Sequence, residues 1–162
     1  HMTGLPGIPT GLKLLGRHVL AFDYIAGLTL SELHRSRQKL PRQFFEKLEQ
    51  RLETMHRAGF AHLDMRNLGN IICGVAGQPY FIDFQSCVCT KCLPPFLRKQ
   101  MECTDYSGIY KGWTRLCAEP LGSMRSQRIH RVEQARRFWI FKGYWLSKAL
   151  RKLQDKTRTS HG

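Results

Sequence analysis

Hydrophobic side chains recur every three or four positions between residues 44 and 55, with charged residues between them. They are Phe44, Phe45, Leu48, Leu52 and Met55. This period places them on one face of a helix, and Gly59 marks the position near which that helix ends. Aromatic and aliphatic side chains at helical spacing are typical of a core-facing helix, so we assign this segment a structural role and no chemistry.

A second pattern, two short apolar runs separated by turn residues, follows this helix. The runs cover residues 70–73 and 79–84, and residues 74–78 between them include two glycines. This arrangement predicts a β-hairpin. Because a hairpin brings its two outer ends together, we expect Asn70 and Asp83 to lie at the same end, beside Asp64.

A third pattern precedes the helix. Residues 17–27 favour a strand that ends at a glycine, with the strand itself expected at residues 19–24, and a helix opened by Thr29 or Ser31 is expected next. Taken alone, this is an edge strand before a helix cap.

The predicted hairpin carries residues suited to a particular chemistry. Asp64 is followed six residues later by Asn70, and Asp83 comes directly after the second apolar run. Phosphoryl transfer from ATP requires groups of these types. One carboxylate accepts a proton from the attacking hydroxyl, and an amide and a second carboxylate hold magnesium on the phosphates. Each residue alone has a simpler explanation as a turn cap or a solvated strand end. Their combined spacing favours the chemical one.

The residues from His62 to Ile72 and from Tyr80 to Gln85 resemble the catalytic loop and metal-binding motif of the protein-kinase-like superfamily. The similarity is strongest to its atypical bacterial branch, which includes the lipopolysaccharide core sugar kinases and the RIO-like kinases. The resemblance covers about residues 19–86 and implies ATP and Mg²⁺ as cofactors. It implies Asp64 as catalytic base, Arg66 as a phosphate contact, Asn70 and Asp83 as magnesium ligands, and His62 as a brace for the loop.

The same resemblance assigns residues 19–27 to the kinase hinge. Backbone groups at Asp23 and Ile25 would then bond the adenine edge, and Ile72 would lie under the adenine ring.

The chain departs from the kinase pattern in several places. Asn70 lies six residues after Asp64 instead of five, Gln85 stands in place of a glycine, and Arg66 stands where many relatives carry lysine. Upstream of residue 19 there is no glycine-rich phosphate loop, and Lys13 is the only lysine. We therefore expect either that the natural chain begins further upstream or that it lacks most of the N-terminal lobe, and we expect the sequence as given to have weak or no activity.

These observations predict one α+β domain over residues 1–162, a mainly helical kinase-like C-terminal lobe with a small β-hairpin. Residues 60–86 would form the catalytic loop and metal hairpin, and residues 125–156, approximately, a basic C-terminal helix. No apolar run approaches the ~18 residues of a membrane span. We expect a cytoplasmic protein.

The formal net charge is +14, and much of it lies near the C-terminus. Eleven Lys or Arg residues stand against Glu133 and Asp155 between residues 125 and 158, which gives +9 there. Three explanations remain open. The helix packs on the domain with a solvated basic face, it contacts an anionic membrane at the inner face, or it binds nucleic acid, for which no motif is present.

Six cysteines are present, and Cys87, Cys89 and Cys92 follow the metal motif directly. A Cys-x-x-Cys pair can begin a zinc site, but a second half-site is missing, so reduced thiols are favoured. Residues 93–121 suggest helical pieces separated by loops. Asp105 and Tyr106 there are candidates for substrate contact, although a structural cap is favoured.

The function expected from these features is ATP-dependent transfer of a γ-phosphate to a hydroxyl. The acceptor is a lipopolysaccharide core sugar or a protein Ser/Thr, which the loop spacing does not separate. The alternative is a catalytically degenerate nucleotide-binding or scaffolding module, a pseudokinase.

Overall fold

The computed structural model describes residues 4–11, 13–16 and 19–139. Within these residues there are seven short strands: β1 Lys13–Gly16, β2 Val19–Ala21, β3 Gly27–Thr29, β4 Phe60–Ala61, β5 Ile71–Gly74, β6 Pro79–Phe81 and β7 Val88–Cys89. The helices are α1 Leu30–Arg35, α2 Arg42–Arg57, α3 Pro95–Leu116 and α4 Ser123–Trp139. The predicted α+β class, mainly helical with a small β-hairpin, is confirmed.

Helix α2 is the predicted amphipathic helix, and its hydrophobic face is the centre of the core. Phe45, Leu48 and Leu52 are fully buried. The Phe45 ring lies 5.3 Å from the ring of Trp113 on α3, so these two helices share the core. The helix ends at Arg57, and Gly59 follows with a φ of 85° that a side chain would disfavour. The expected end near Gly59 is confirmed.

The predicted hairpin is present and belongs to a three-stranded antiparallel sheet with the order β3-β5-β6. Ile71 pairs with Phe81 and Cys73 with Pro79, so residues 70 and 82 lie side by side at the open end. The second strand stops at Phe81 rather than continuing to Phe84, because residues 84–86 form a 3₁₀ turn.

A strand is present within the expected residues 19–24, but the expectation that it runs on to Gly27 is wrong. Strand β2 ends at Ala21, and Gly27 instead begins β3, whose partner is β5. A Cβ on Gly27 would lie 2.8 Å from the Gly74 Cα, so only glycine allows the two strands to approach this closely. Strands β1 and β2 form a separate antiparallel hairpin.

Helix α1 begins where the sequence indicated. Thr29 is its N-cap: its side chain accepts a hydrogen bond from the Glu32 amide, and the Glu32 carboxylate accepts one from the Thr29 amide. This reciprocal capping box satisfies two backbone donors that the first turn of a helix would otherwise expose.

Helix α3 is one continuous helix of 22 residues, not the series of helical pieces expected for residues 93–121. Gly108 and Gly112 are both buried inside the helix. Both are contact positions: a side chain on Gly108 would run into the Met65 and Arg66 backbone, and one on Gly112 would meet Leu68. Tertiary packing therefore outweighs the poor helix propensity of glycine.

The first turns of α4 are fastened to the domain by arginines. Both Nε and Nη2 of Arg125 donate to the Glu49 carboxylate at 2.8–3.1 Å, and its guanidinium lies 4.6 Å from the Trp113 ring centroid. The guanidinium of Arg128 lies 5.0 Å from the Tyr106 ring centroid. The basic helix expected over about residues 125–156 thus begins at Ser123, and its part beyond Trp139 lies outside the described residues.

Among the described helices, none is both long enough and apolar enough to cross a membrane.

Candidate active site

The loop between β4 and β5 brings Asp64 and Asn70 into contact. The Asn70 side-chain amide donates to the Asp64 carboxylate at 2.8 Å and to the Asp64 carbonyl at 3.1 Å. Asn70 is 4% exposed, whereas Asp64 is half-buried. The carboxylate is therefore held in one orientation and still reaches solvent. This is the pairing that the sequence predicted for these two residues.

The hairpin places Asp83 beside the same loop. The amide of Ile82 donates to the Asn70 carbonyl at 2.9 Å, and the Ile82 carbonyl lies 3.0 Å from the Nε2 of His62. Asp83 follows directly, is exposed, and has a left-handed backbone conformation with φ 60°. Non-glycine residues in this region carry strain and concentrate at functional sites.

His62 is fully buried and its ring connects the loop to the hairpin through the Ile82 carbonyl. Burial is the main influence and lowers the pKa of the imidazole, although Asp105, the Ile82 carbonyl, Asp64 and Asp83 each act to raise it. Its Nδ1 has no hydrogen-bond partner among the described residues, so the ring donates from Nε2 to Ile82. The role of brace expected for His62 fits this geometry.

Asp105 on α3 fixes the start of the loop, through partners that the sequence did not reveal. Its carboxylate is fully buried and accepts from the amides of His62 at 2.8 Å and Leu63 at 2.7 Å, and it lies 3.0 Å from the Nε2 of His56. Leu63 has a φ of 67°, an unfavourable conformation for a leucine, which these bonds hold in place. Because Asp105 is fully buried among these groups, the suggestion of substrate contact is wrong for this residue, and the favoured structural role is the one observed.

One face of α3 docks the rest of the loop. Asp105, Gly108 and Lys111 are three residues apart along the helix. The backbone of Met65 packs on Gly108, and the Lys111 ammonium donates to the Arg66 carbonyl at 3.1 Å. The loop therefore runs along this face in register with the helix.

Arg66, predicted as a phosphate contact, follows Asp64 by two residues and is half-buried. Its Nη1 lies 3.4 Å from the hydroxyl of Ser107, at the long end of hydrogen-bond distances. The guanidinium is thus directed from the loop that also carries Asp64 towards α3.

The three residues predicted to contact adenine lie around the β3-β5 pair. Asp23 and Ile25 lie in the segment between β2 and β3, and Ile72 is a half-buried residue of β5 that pairs with Thr29. The amide of Asp23 donates to the Thr10 carbonyl at 2.9 Å, and its carboxylate accepts from the Thr10 hydroxyl. Of the Asp23 backbone groups, the carbonyl is therefore the one suited to an external ligand.

The donors at the hairpin end fit a magnesium ion. Asn70 supplies an amide oxygen, which accepts a 3.1 Å hydrogen bond from Asn67, and Asp83 supplies an exposed carboxylate. Oxygen donors of these two types are those that Mg²⁺ takes in phosphate-binding sites.

All six cysteines are free thiols. Burial raises the pKa of Cys87 to about 11, and it also raises the pKa of Cys103. A raised pKa favours the thiol over the thiolate, which is the form that binds metals and attacks electrophiles.

Comparison of the sequence with models of known protein families gives no match, and comparison with curated proteins gives none either.

Proposed function

We propose that this protein is an ATP-dependent phosphotransferase, similar to the atypical kinases, that acts on a hydroxyl acceptor. The observation that carries the proposal is the contact of Asp64 with Asn70 at 2.8 Å. The Ile82 amide donates to the carbonyl of the same Asn70, and Asp83 is the next residue along the chain. Three oxygen-bearing side chains, those of Asp64, Asn70 and Asp83, thus come from one end of the hairpin and the loop beside it.

In this mechanism the chain orients the acceptor and removes its proton. Asn70 holds the Asp64 carboxylate by Oδ2, so that Oδ1 accepts the hydroxyl proton as the phosphoryl group transfers. Asn70 and Asp83 would hold Mg²⁺, which neutralises charge on the phosphates when bound. Asp105 and His62 keep the loop and the hairpin in register.

The nucleotide would lie against the β3-β5 pair. The half-buried side chains of Ile25 and Ile72 offer apolar surface for adenine, and the Asp23 carbonyl offers an acceptor for its amino group. The acceptor class remains a lipopolysaccharide core sugar or a protein Ser/Thr.

Substitution of Asp64 by Asn in the full-length protein tests the proposal. Transfer of ³²P from γ-labelled ATP to lipopolysaccharide or to protein should fall by about 10²–10⁴-fold, the usual contribution of a positioned base. The affinity for Mg²⁺-ATP, measured by calorimetry, should stay within about twofold, because the lost charge lies at the acceptor side. Asp83→Asn should instead weaken Mg²⁺-ATP binding.

Glu119→Gln, which alters an exposed carboxylate on the segment after α3, is the matched control and should change neither quantity. Undiminished transfer by Asp64→Asn contradicts the assignment. Mg²⁺-ATP binding by the wild-type chain without transfer to either acceptor would favour the non-catalytic nucleotide-binding module.

A further inference from the structure

A second site for an anion is indicated by an open cavity of about 520 Å³ that shares no lining residue with the Asp64 loop or the hairpin. Four cationic side chains from different parts of the chain line it. They are Arg57 at the end of α2, Lys91 after β7, Arg98 on α3 and Arg128 on α4. Two carboxylates, Glu53 and Glu102, also face it, so the walls carry a net charge of +2.

These charges are not equally available to a ligand. Arg57 is paired with Glu53 at 2.6 Å, which cancels both charges locally. Arg128 lies over the Tyr106 ring and 3.5 Å from the Tyr110 hydroxyl. Lys91 and Arg98 therefore supply the positive potential on one side of the cavity, and Glu102 is the carboxylate that opposes it.

Arg98 shows the clearest need for an acceptor. Its Nε is buried and has no hydrogen-bond partner among the described residues. The two bonds described from its Nη2, to the carbonyls of Thr90 and Lys91, are both 3.4 Å long and therefore weak. The Thr90 hydroxyl, on a residue that is 1% exposed, also lacks a described partner. Buried donors of this kind are satisfied in folded proteins by water or by an ion.

We propose that this cavity binds a phosphate-bearing anion, with Arg98 as the central contact and Lys91 as the second cation. Arginine recognises phosphate through two parallel N–H donors of its planar fork, and an unpaired Nε beside a weakly bonded Nη2 presents such a pair. Lysine adds a second positive charge as a point charge. This site is independent of the proposed phosphotransferase chemistry, because it uses none of the same residues.

The test is calorimetric titration of the whole protein with inorganic phosphate, and with pyrophosphate in a second series, at constant ionic strength. Saturable binding is expected. Arg98→Gln should weaken it by at least about tenfold, since a hydrogen bond to a charged group is lost. Glu102→Gln should tighten it by about threefold, because a like charge leaves the cavity.

Lys99→Gln provides the matched control, since Lys99 adjoins Arg98 on α3 and is exposed but does not line the cavity. It removes the same formal charge and should change the affinity by less than about twofold. Lys91→Gln guards against misfolding of the Arg98 variant, because Lys91 is exposed, and it should weaken binding by about threefold.

Two results overturn the proposal. One is the absence of saturable phosphate binding by the wild-type protein. The other is binding that persists unchanged in both Arg98→Gln and Lys91→Gln, which places the anion elsewhere, for example at the Asp83 end of the hairpin. Equal weakening by Lys99→Gln and Arg98→Gln also counts against it, since this indicates nonspecific attraction to a basic protein.

Discussion

Replacement of Asp105 by Asn tests whether the active-site loop depends on one buried carboxylate. The carboxylate accepts from two loop amides at 2.7 and 2.8 Å and is 0% exposed. Asparagine has nearly the same shape but only one acceptor oxygen, so at least one loop amide would face an NH₂ group. That amide would be a buried donor without an acceptor.

The expected loss can be worked from these contacts. A buried unsatisfied group costs about 1–3 kcal/mol, and the loss of charge weakens the bonds that remain, including that to His56. Breaking a buried charged network costs about 3–5 kcal/mol in comparable cases. We therefore expect the free energy of unfolding to fall by about 3 kcal/mol, a large part of the roughly 5–15 kcal/mol of an ordinary domain.

Urea denaturation of the wild-type protein and the Asp105→Asn variant measures this loss, with Glu119→Gln as an exposed control. Hydrogen exchange provides a local measurement: the amides of His62 and Leu63 should exchange faster in the variant than in the wild-type protein. A loss below about 1 kcal/mol would show that the carboxylate contributes no more than an ordinary hydrogen bond, and the reasoning would fail.

Two further predictions concern the same loop. Because burial lowers the pKa of His62, the unfolded chain binds a proton that the folded chain does not as the pH falls below about 6.5. The contribution of His62 to the free energy of unfolding is therefore fully present above this pH and declines as the pH falls towards the lowered pKa of the folded state. In urea denaturation between about pH 7.5 and 5, His62→Gln should make the free energy of unfolding fall less steeply with decreasing pH. Equal pH dependence in the variant and the wild-type protein would contradict this prediction. Gly108→Ala places a Cβ 2.6 Å from the Met65 carbonyl oxygen and should lower the free energy of unfolding by about 3 kcal/mol. Gly112→Ala, one turn further along α3, meets only side chains at 3.3 Å and beyond and should change stability by less than about 1 kcal/mol, so similar losses in both would refute the role of the loop contact.

The elements that the sequence predicted correctly are those with local signals. The α2 stripe repeats with helical period, the hairpin alternates around a glycine-containing turn, and Thr29 and Glu32 have the spacing of a capping box. Each signal spans fewer than about 20 residues, because it reflects interactions between residues that are close together in the chain.

The features that the sequence did not reveal depend on distant partners. Asp105 lies 42 and 43 residues from the two amides that it accepts, so nothing near it in the chain marks it as buried. Strand β3 exists because β5 pairs with it. The need for a glycine at position 27 becomes clear only once Gly74 is known to lie beside it. Helix α3 contains Gly108, a residue type that weakens helices in isolation but is required where the loop backbone packs against it.

The candidate site and its support thus have different origins in the sequence. Asp64, Asn70 and Asp83 stand out by residue type and spacing, because the chemistry that they are suited to requires carboxylates and an amide. The side chains that position them follow the geometry of α3, and this geometry emerges only from the packed fold. A helix face that presents a carboxylate to loop amides, a glycine to the loop backbone and an ammonium to a loop carbonyl leaves that loop few alternative conformations. The left-handed conformation of Leu63 is then a consequence of this docking, since three contacts along one face offset the strain of a single residue.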